Sequence, residues 1–367
     1  MTISTATSWL LPPAETAITA PRFSIGSVHS AAVELRDDSG ETGFGYAYTF
    51  DPDSAEAVRS LIDALSGEYC GSEPDELRGV RSRLLATRLN FLGVRGLARL
   101  AASALDVAAW DLLCRLRATT LPGLVGAERD RQPVYSAFGL WSALTPSECA
   151  SVAAEVAKDH DTPHAKMWLG SADLGWEYER IAAVRDALGP DAAVIVDAAQ
   201  AYDWRTASRL AQRLEGLDIL WFEDPVEYED NEGLAAFAAE SPIPLGTGEH
   251  VYGLDHLKQL LDLGVTEYLV LDLERIGGIT DFLAAAALAE AYRVHLGTHV
   301  YTHAAAQLLM TARTGAWCEY SPRIGCSHRS TVRNWRTLGC LTMCAQRSPV
   351  GSQCSRKKCS RCWQRLR

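Results

Sequence analysis

The chain has 367 residues, 47% hydrophobic and 22% charged, with a formal net charge of -11. This is a globular composition with enough apolar residues for a large core, and a length for two domains or one large barrel with an addition. No apolar run approaches the ~20 residues that span a bilayer, no secretory signal pattern is expected, and the acidic balance argues against a nucleic-acid partner.

Along the chain, Ala31 to Leu35 alternates, Asp37-Asp38-Ser39-Gly40 supplies turn chemistry, and Gly43 to Tyr48 resumes an extended pattern. Residues 54–65 and 74–90 read as helices, and Leu92 to Leu116 as a buried Ala- and Leu-rich helix. Residues 1–130 are therefore expected to form an α+β domain. After Pro133, short apolar runs alternate with amphipathic segments, the rhythm of βα units. The expected strands are 133–139, 164–169, 192–197, 218–223, 243–248, 267–272, 294–298 and 316–320. The helices between them are 146–158, 175–188, 204–214, 231–239, 254–263, 278–292 and 302–313. The fold class is thus α/β, a modified (β/α)8 barrel over 131–322 with its last helix absent or altered. A doubly wound sheet shares this strand count and is the alternative.

Functional groups in such barrels gather at the C-terminal strand ends. Here Asp197, Glu223 and Glu249 follow the third, fourth and fifth strands, 26 residues apart each time. One such carboxylate alone reads as a helix N-cap. Three converging on a barrel mouth repel one another unless a cation neutralises them, and hard carboxylate oxygens favour Mg2+ over zinc. Asp272 and His299 end the next two strands. A carboxylate beside an imidazole fixes its tautomer and raises its basicity, as a general base requires; a solvated surface pair is the plainer reading. His164, Lys166 and Trp168 share one face of the second strand and are the expected substrate-binding residues, with Lys166 placed to hold a substrate carboxylate or to reach to solvent. Glu319 lies on the eighth strand.

Ala101 to Leu116 (AASALDVAAWDLLCRL), FEDP at 222–225, TGEH at 247–250, DLERIGGIT at 272–280 and GTH at 297–299 together resemble the enolase superfamily. The likeness is to its mandelate racemase/muconate-lactonizing type, particularly the acid-sugar dehydratases, over about residues 25–322. The resemblance implies an α+β capping domain over the barrel, with loops around 11–25 and 48–56 closing over substrate. It implies Mg2+ on Asp197, Glu223 and Glu249, an Asp272–His299 base dyad, and Glu319 as an acid facing the substrate carboxylate. The partner implied is a small acid-sugar carboxylate, and family barrels are often homo-oligomers.

Three departures qualify the likeness. Members with a second-strand base read Lys-x-Lys-x-Gly, whereas this chain has Lys166-Met167-Trp168-Leu169-Gly170. Trp168 stands at the usual base position, and Lys166 matches the first lysine, beside the substrate carboxylate. Racemisation needs a base on each face of the carbon; dehydration can use His299 alone, first as base and then as acid to the leaving hydroxyl. The expectation is therefore a carbon–oxygen hydro-lyase acting on an aldonate or aldarate. The alternatives are a racemase or epimerase of the same superfamily, or an inactive metal-binding homologue. Second, Ala199 stands where the family often has asparagine, a role Gln200 could take.

The third departure is residues 323–367, which carry eleven of the 35 basic residues, none of the 46 acidic ones and six of the ten cysteines. The body therefore holds 24 basic against 46 acidic residues, and four scattered cysteines that suggest a reduced, cytoplasmic setting. The tail has no apolar period; a zinc site around Cys354, Cys359 and Cys362 or a basic nucleic-acid patch is the weaker reading. It reads best as a frameshifted end, testable by translating the other frames from codon 323.

Overall fold

The structure, a computed structural model, describes residues 1–20, 22–160 and 162–321. Its first layer is an antiparallel sheet ordered β1 (Ile3–Thr19), β2 (Ser24–Asp37), β3 (Thr42–Thr49). The β2–β3 turn forms because the Asp37 carboxylate accepts from the main-chain N–H groups of Ser39 and Glu41, while Gly40 takes a φ of 92°. Strand β1 has no counterpart in the sequence reading, because Pro12-Pro13 masks its alternation. The register slips between Leu11 and Ala14, and an edge strand tolerates prolines at such a bulge. The expected loop at 11–25 is consequently a β1–β2 hairpin, and that at 48–56 shrinks to Phe50 and Asp51 before α1 (Pro52–Ser66).

The helix expected over 74–90 is two pieces, α2 (Leu77–Ala86) and α3 (Arg88–Leu92), divided at Thr87, whose φ and ψ are -114° and -84°. Gly93 and Gly96, at φ 97° and 68°, delay the next helix, α4 (Leu97–Leu116), to Leu97. A short α5 (Leu121–Val125) follows. Helix α4 is buried on nearly every side. It packs against β3 where Gly43 and Gly45 face it; a Cβ at either glycine would meet the main chain of Ala108 or Ala104.

Eight parallel strands then close into a ring: β4 (Val134–Ser136), β5 (Ala165–Trp168), β6 (Val194–Asp197), β7 (Ile219–Glu223), β8 (Leu245–Thr247), β9 (Tyr268–Asp272), β10 (His295–His299) and β11 (Gly315–Tyr320). Strand β11 pairs with both β10 and β4, so the sheet has no edge and the doubly wound alternative is excluded. The outer helices are α6 (Pro146–His160), α7 (Leu174–Leu188), α8 (Trp204–Leu214), α9 (Asn231–Glu240) and α10 (Gly253–Asp262). They continue with a turn α11 (Leu273–Ile276), α12 (Ile279–Tyr292) and α13 (Thr302–Thr311). Asp173, Asp203 and Asp230 start α7, α8 and α9 by accepting main-chain N–H groups. No helix among the described residues is long and apolar enough to cross a membrane. The tail at 323–367, with its suggested frameshift and zinc readings, lies outside the described residues.

The two layers meet along α4. Asp106 accepts from the Thr280 main chain and hydroxyl at 2.9 and 2.6 Å, and burial pushes its carboxyl up to about 7. Gly277 and Gly278, at φ 119° and 90°, separate α11 from α12 and bring the chain against Asp106, which explains the paired glycines of DLERIGGIT. Arg81 of α2 and Arg99 of α4 both pair with Asp281 of α12. Asp281→Ala strands a buried guanidinium, so denaturant unfolding should show a loss of about 3–5 kcal/mol. A change below about 1 kcal/mol would mean the cluster does not join the layers.

Candidate active site

Side chains alternate along each strand, so the inward rows follow directly from the strand bounds. Inside the ring, Tyr135, Ile195, Trp221 and Val270 form an apolar plug. One step toward the C-terminal ends, the same faces present Asp197, Glu223 and Asp272. The plug also supports the polar layer: Trp221 donates its indole N–H to Glu223 at 2.9 Å and Tyr135 its hydroxyl to Glu319 at 3.3 Å.

Lys166 is fully buried at the centre of this layer. Its ammonium lies 2.7 Å from Glu223, 2.9 Å from Glu319 and 3.1 Å from Asp197. The lysine does not reach to solvent. Burial works against its charge, but the carboxylates outweigh it and keep its pKa well above the usual value. Glu319 also accepts from the Ser321 hydroxyl at 2.9 Å and the Val300 N–H at 3.3 Å. Against burial, Lys166 and His299 hold Glu319 below the usual carboxylate range.

His299 donates from Nδ1 to Asp272 Oδ2 at 2.8 Å and turns Nε2 toward Glu249 Oε2 at 3.3 Å. Asp272 is both dyad partner and N-cap: its Oδ1 accepts from the N–H groups of Glu274 and Arg275. Despite burial, Arg275 and the His299 bond hold Asp272 at about 2. Burial disfavours the imidazolium, yet Glu249 and the Asp272 bond raise His299 to about 9. Asp272 is buried and the His299 side chain only 12% exposed, which excludes the solvated-surface reading.

Asp197, Glu223 and Glu249 all stand at the ends of β6, β7 and β8, but they divide between partners. Asp197 and Glu223 turn to Lys166, while Glu249 meets His299 and His250, the latter at 3.0 Å. Among the described residues, the metal-ligating atoms that gather within 4.8 Å of one another belong to Asp224, Glu249 and His250. Asp224 also accepts the Thr247 hydroxyl at 2.6 Å. Three buried carboxylates thus surround one lysine, with Asp224 and Glu249 beside them. Burial, then the surrounding carboxylates against Lys166, leaves Glu223 at about 8 and Asp197 above its usual value; burial and neighbouring carboxylates raise Asp224. Hard oxygen donors with excess negative charge suit a divalent cation such as Mg2+.

Trp168 lies at the mouth, 6.1 Å edge-on from Phe23 of the cap hairpin and 6.0 Å from Trp141. Its indole N–H has no hydrogen-bond partner among the described residues. Arg22, beside Phe23, binds the Gln200 carbonyl and pairs with Glu227 at 2.9 Å, docking the hairpin tip on the loops after β6 and β7. Gln200 is otherwise engaged, its Oε1 accepting from Tyr228 N–H. Ala199 takes a φ of 44°, a conformation asparagine tolerates better than alanine.

His164 corrects the reading that it binds substrate. It shares the Lys166 face but precedes β5, at the N-terminal end of the barrel. There its Nδ1 accepts from Ala193 N–H and its ring packs edge-on against Trp317 at 4.8 Å. It lies two positions before Lys166, one step down the barrel, so it belongs to the floor. Residues without a role in the sequence reading also enter the site: Tyr48, Arg275 and His250. Arg275 and His250 lie inside DLERIGGIT and TGEH, whereas nothing local to Tyr48 marks it.

A family model for the mandelate racemase/muconate lactonizing enzyme N-terminal domain matches residues 3–126, and one for the enolase C-terminal domain-like fold matches 148–336. The chain belongs to the enolase superfamily, of the mandelate racemase/muconate-lactonizing type. The superfamily match runs 14 residues beyond 322, where the sequence reading ended its resemblance. Among curated superfamily relatives, L-talarate/galactarate dehydratase of Salmonella typhimurium is 27% identical over 72% of this chain and 66% of its own length. D-galactarolactone cycloisomerase of Agrobacterium fabrum is 31% identical, over 73% and 70% respectively. A solved enolase from Bradyrhizobium, complexed with magnesium and mandelic acid, superposes with a TM-score of 0.81 at 26% identity, covering 87% of this chain and 88% of that one.

Proposed function

We propose that this protein is an Mg2+-dependent hydro-lyase that removes water from an acid sugar, an aldonate or aldarate. The observation that carries the reading is the His299–Asp272 pair beside the carboxylate layer, which supports a single base; Trp168 ends β5 at the position where, by the family resemblance, a second base would stand. The dehydratase relative supports loss of water, and the magnesium-bound neighbour supports the metal.

Asp197, Glu223 and Glu249 would hold the ion, which when bound supplies Lewis-acid stabilisation of the enediolate. The Lys166 ammonium binds the substrate carboxylate, and Glu319 borders it. His299 Nε2 takes the proton from C2, for which the imidazole must be neutral; charge withdrawn from Glu249 would lower its pKa from about 9 toward neutrality. The resulting imidazolium returns a proton to the C3 hydroxyl. The C3–O bond breaks, water leaves, and the enol becomes a 2-keto-3-deoxy acid. Phe23 and Trp168 border the substrate from the cap hairpin and barrel.

The test is a screen of aldonic and aldaric acids with Mg2+. The expected result is a 2-keto-3-deoxy product from at least one acid, lost on chelation. A second reading, proton transfer without loss of water, has support in the cycloisomerase relative. It would show as C2 deuterium exchange without a 2-keto-3-deoxy acid. Neither product nor exchange across the library would overturn both readings.

A further inference from the structure

The base dyad is held from outside the barrel. Tyr48, on cap strand β3, donates its hydroxyl to Asp272 Oδ2 at 2.8 Å, the same oxygen that receives His299 Nδ1–H at 2.8 Å. The Tyr48 main-chain N–H donates to Glu274 Oε1 at 2.9 Å. Two residues earlier on β3, Tyr46 stacks on Tyr301 with ring centroids 4.4 Å apart, and its carbonyl accepts the Tyr301 hydroxyl. Tyr301 and Val300 follow His299 directly, in left-handed conformations at φ 51° and 49°. Such conformations persist in non-glycine residues only when their surroundings hold them. One cap strand thus grips the segments that carry both members of the dyad.

We propose that Tyr48 is a positioning residue for the Asp272–His299 base, acting across the domain boundary through its hydrogen bond to Asp272 Oδ2. With Tyr48 in place the carboxylate has two partners on each oxygen, which fixes its plane and aims Nε2 of His299 into the carboxylate layer. Without it, Arg275, whose Nη1 lies 3.6 Å from the same oxygen, competes with His299 for the lone pairs. Burial and the adjacent Asp272 charge keep the Tyr48 phenol protonated, and therefore a donor. The base is complete only when the cap strand is docked.

The inference rests on His299 acting as the base of the proposed reaction, so the test has a part that needs no turnover. In Tyr48→Phe, kcat should fall roughly 10- to 100-fold, the range for losing an outer hydrogen bond that orients a functional group. KM and thermal midpoint should stay close to the parent. The His299 Nδ1–H proton resonance, assigned by its loss in His299→Asn, should move upfield and exchange faster with solvent. An unchanged resonance and unchanged kcat would overturn the proposal, as would a kcat loss that merely tracks loss of folded protein. If the parent dehydrates no acid sugar, the proposed reaction falls, while the resonance alone decides whether Tyr48 positions the pair.

Discussion

His299→Asn is expected to abolish turnover, by about 10²–10⁴-fold, the range for removing a general acid–base group. It should leave the fold and metal binding intact. The substitution keeps a polar side chain of lesser volume in place of the imidazole. Asp272 loses one partner but keeps the Tyr48 hydroxyl and the N–H groups of Glu274 and Arg275, so no buried charge is abandoned. Glu249 loses one neighbour and keeps its His250 contact and the nearby Arg275 charge. Proton abstraction has no substitute, because no lysine stands at Trp168 and the surrounding carboxylates keep Lys166 protonated. The measurement is steady-state dehydration together with C2 deuterium exchange and a Mg2+ titration. Retained exchange in a folded, metal-binding variant would refute the base assignment.

What the sequence made legible was periodic or local. Short apolar runs of five to seven residues located all eight barrel strands, and the polar residue closing each run picked out Asp197, Glu223, Asp272 and His299. The same rule misplaced His164: period two assigns a face but not a depth, and the side chain lies two residues below Lys166 among floor aromatics. Strand β1 escaped because its paired prolines signal a break, although a bulged edge strand absorbs them. Thr87 carries no glycine or proline, so the division between α2 and α3 left no mark. Tyr48 and Asp272 are 224 residues apart, and their bond follows from how the cap sheet docks on the barrel. The spacing of Asp197, Glu223 and Glu249 suggested one cluster; the fold divides them because Lys166 lies deep enough to bond two of them at once.

That depth makes Lys166→Met the most consequential substitution for the architecture of the mouth. One buried ammonium serves Glu223, Glu319 and Asp197, so its removal leaves three buried carboxylates without their shared partner. Breaking a buried ion pair from one side costs about 3–5 kcal/mol, and sharing among three acids places this case at the upper end. The acids can limit the cost by taking up protons. Burial and neighbouring acids already raise Glu223 to about 8 against the pull of Lys166, and losing that pull moves it higher. Its folded pKa then exceeds its unfolded value of about 4.3, so the folded state binds more protons between the two. Stability of the variant should therefore fall as pH rises from about 4 through 8, and its deficit against the parent should be largest at pH 8 and smaller near pH 5.5. Millimolar Mg2+ should recover much of the loss, since a cation bound by Asp197, Glu223 and Glu249 answers the same excess charge. Turnover should stay lost, because the substrate carboxylate no longer has its ammonium partner. Thermal unfolding at the two pH values, with and without Mg2+, checks each part. A variant as stable as its parent at pH 8 without metal would mean that Lys166 does not neutralise the carboxylate layer.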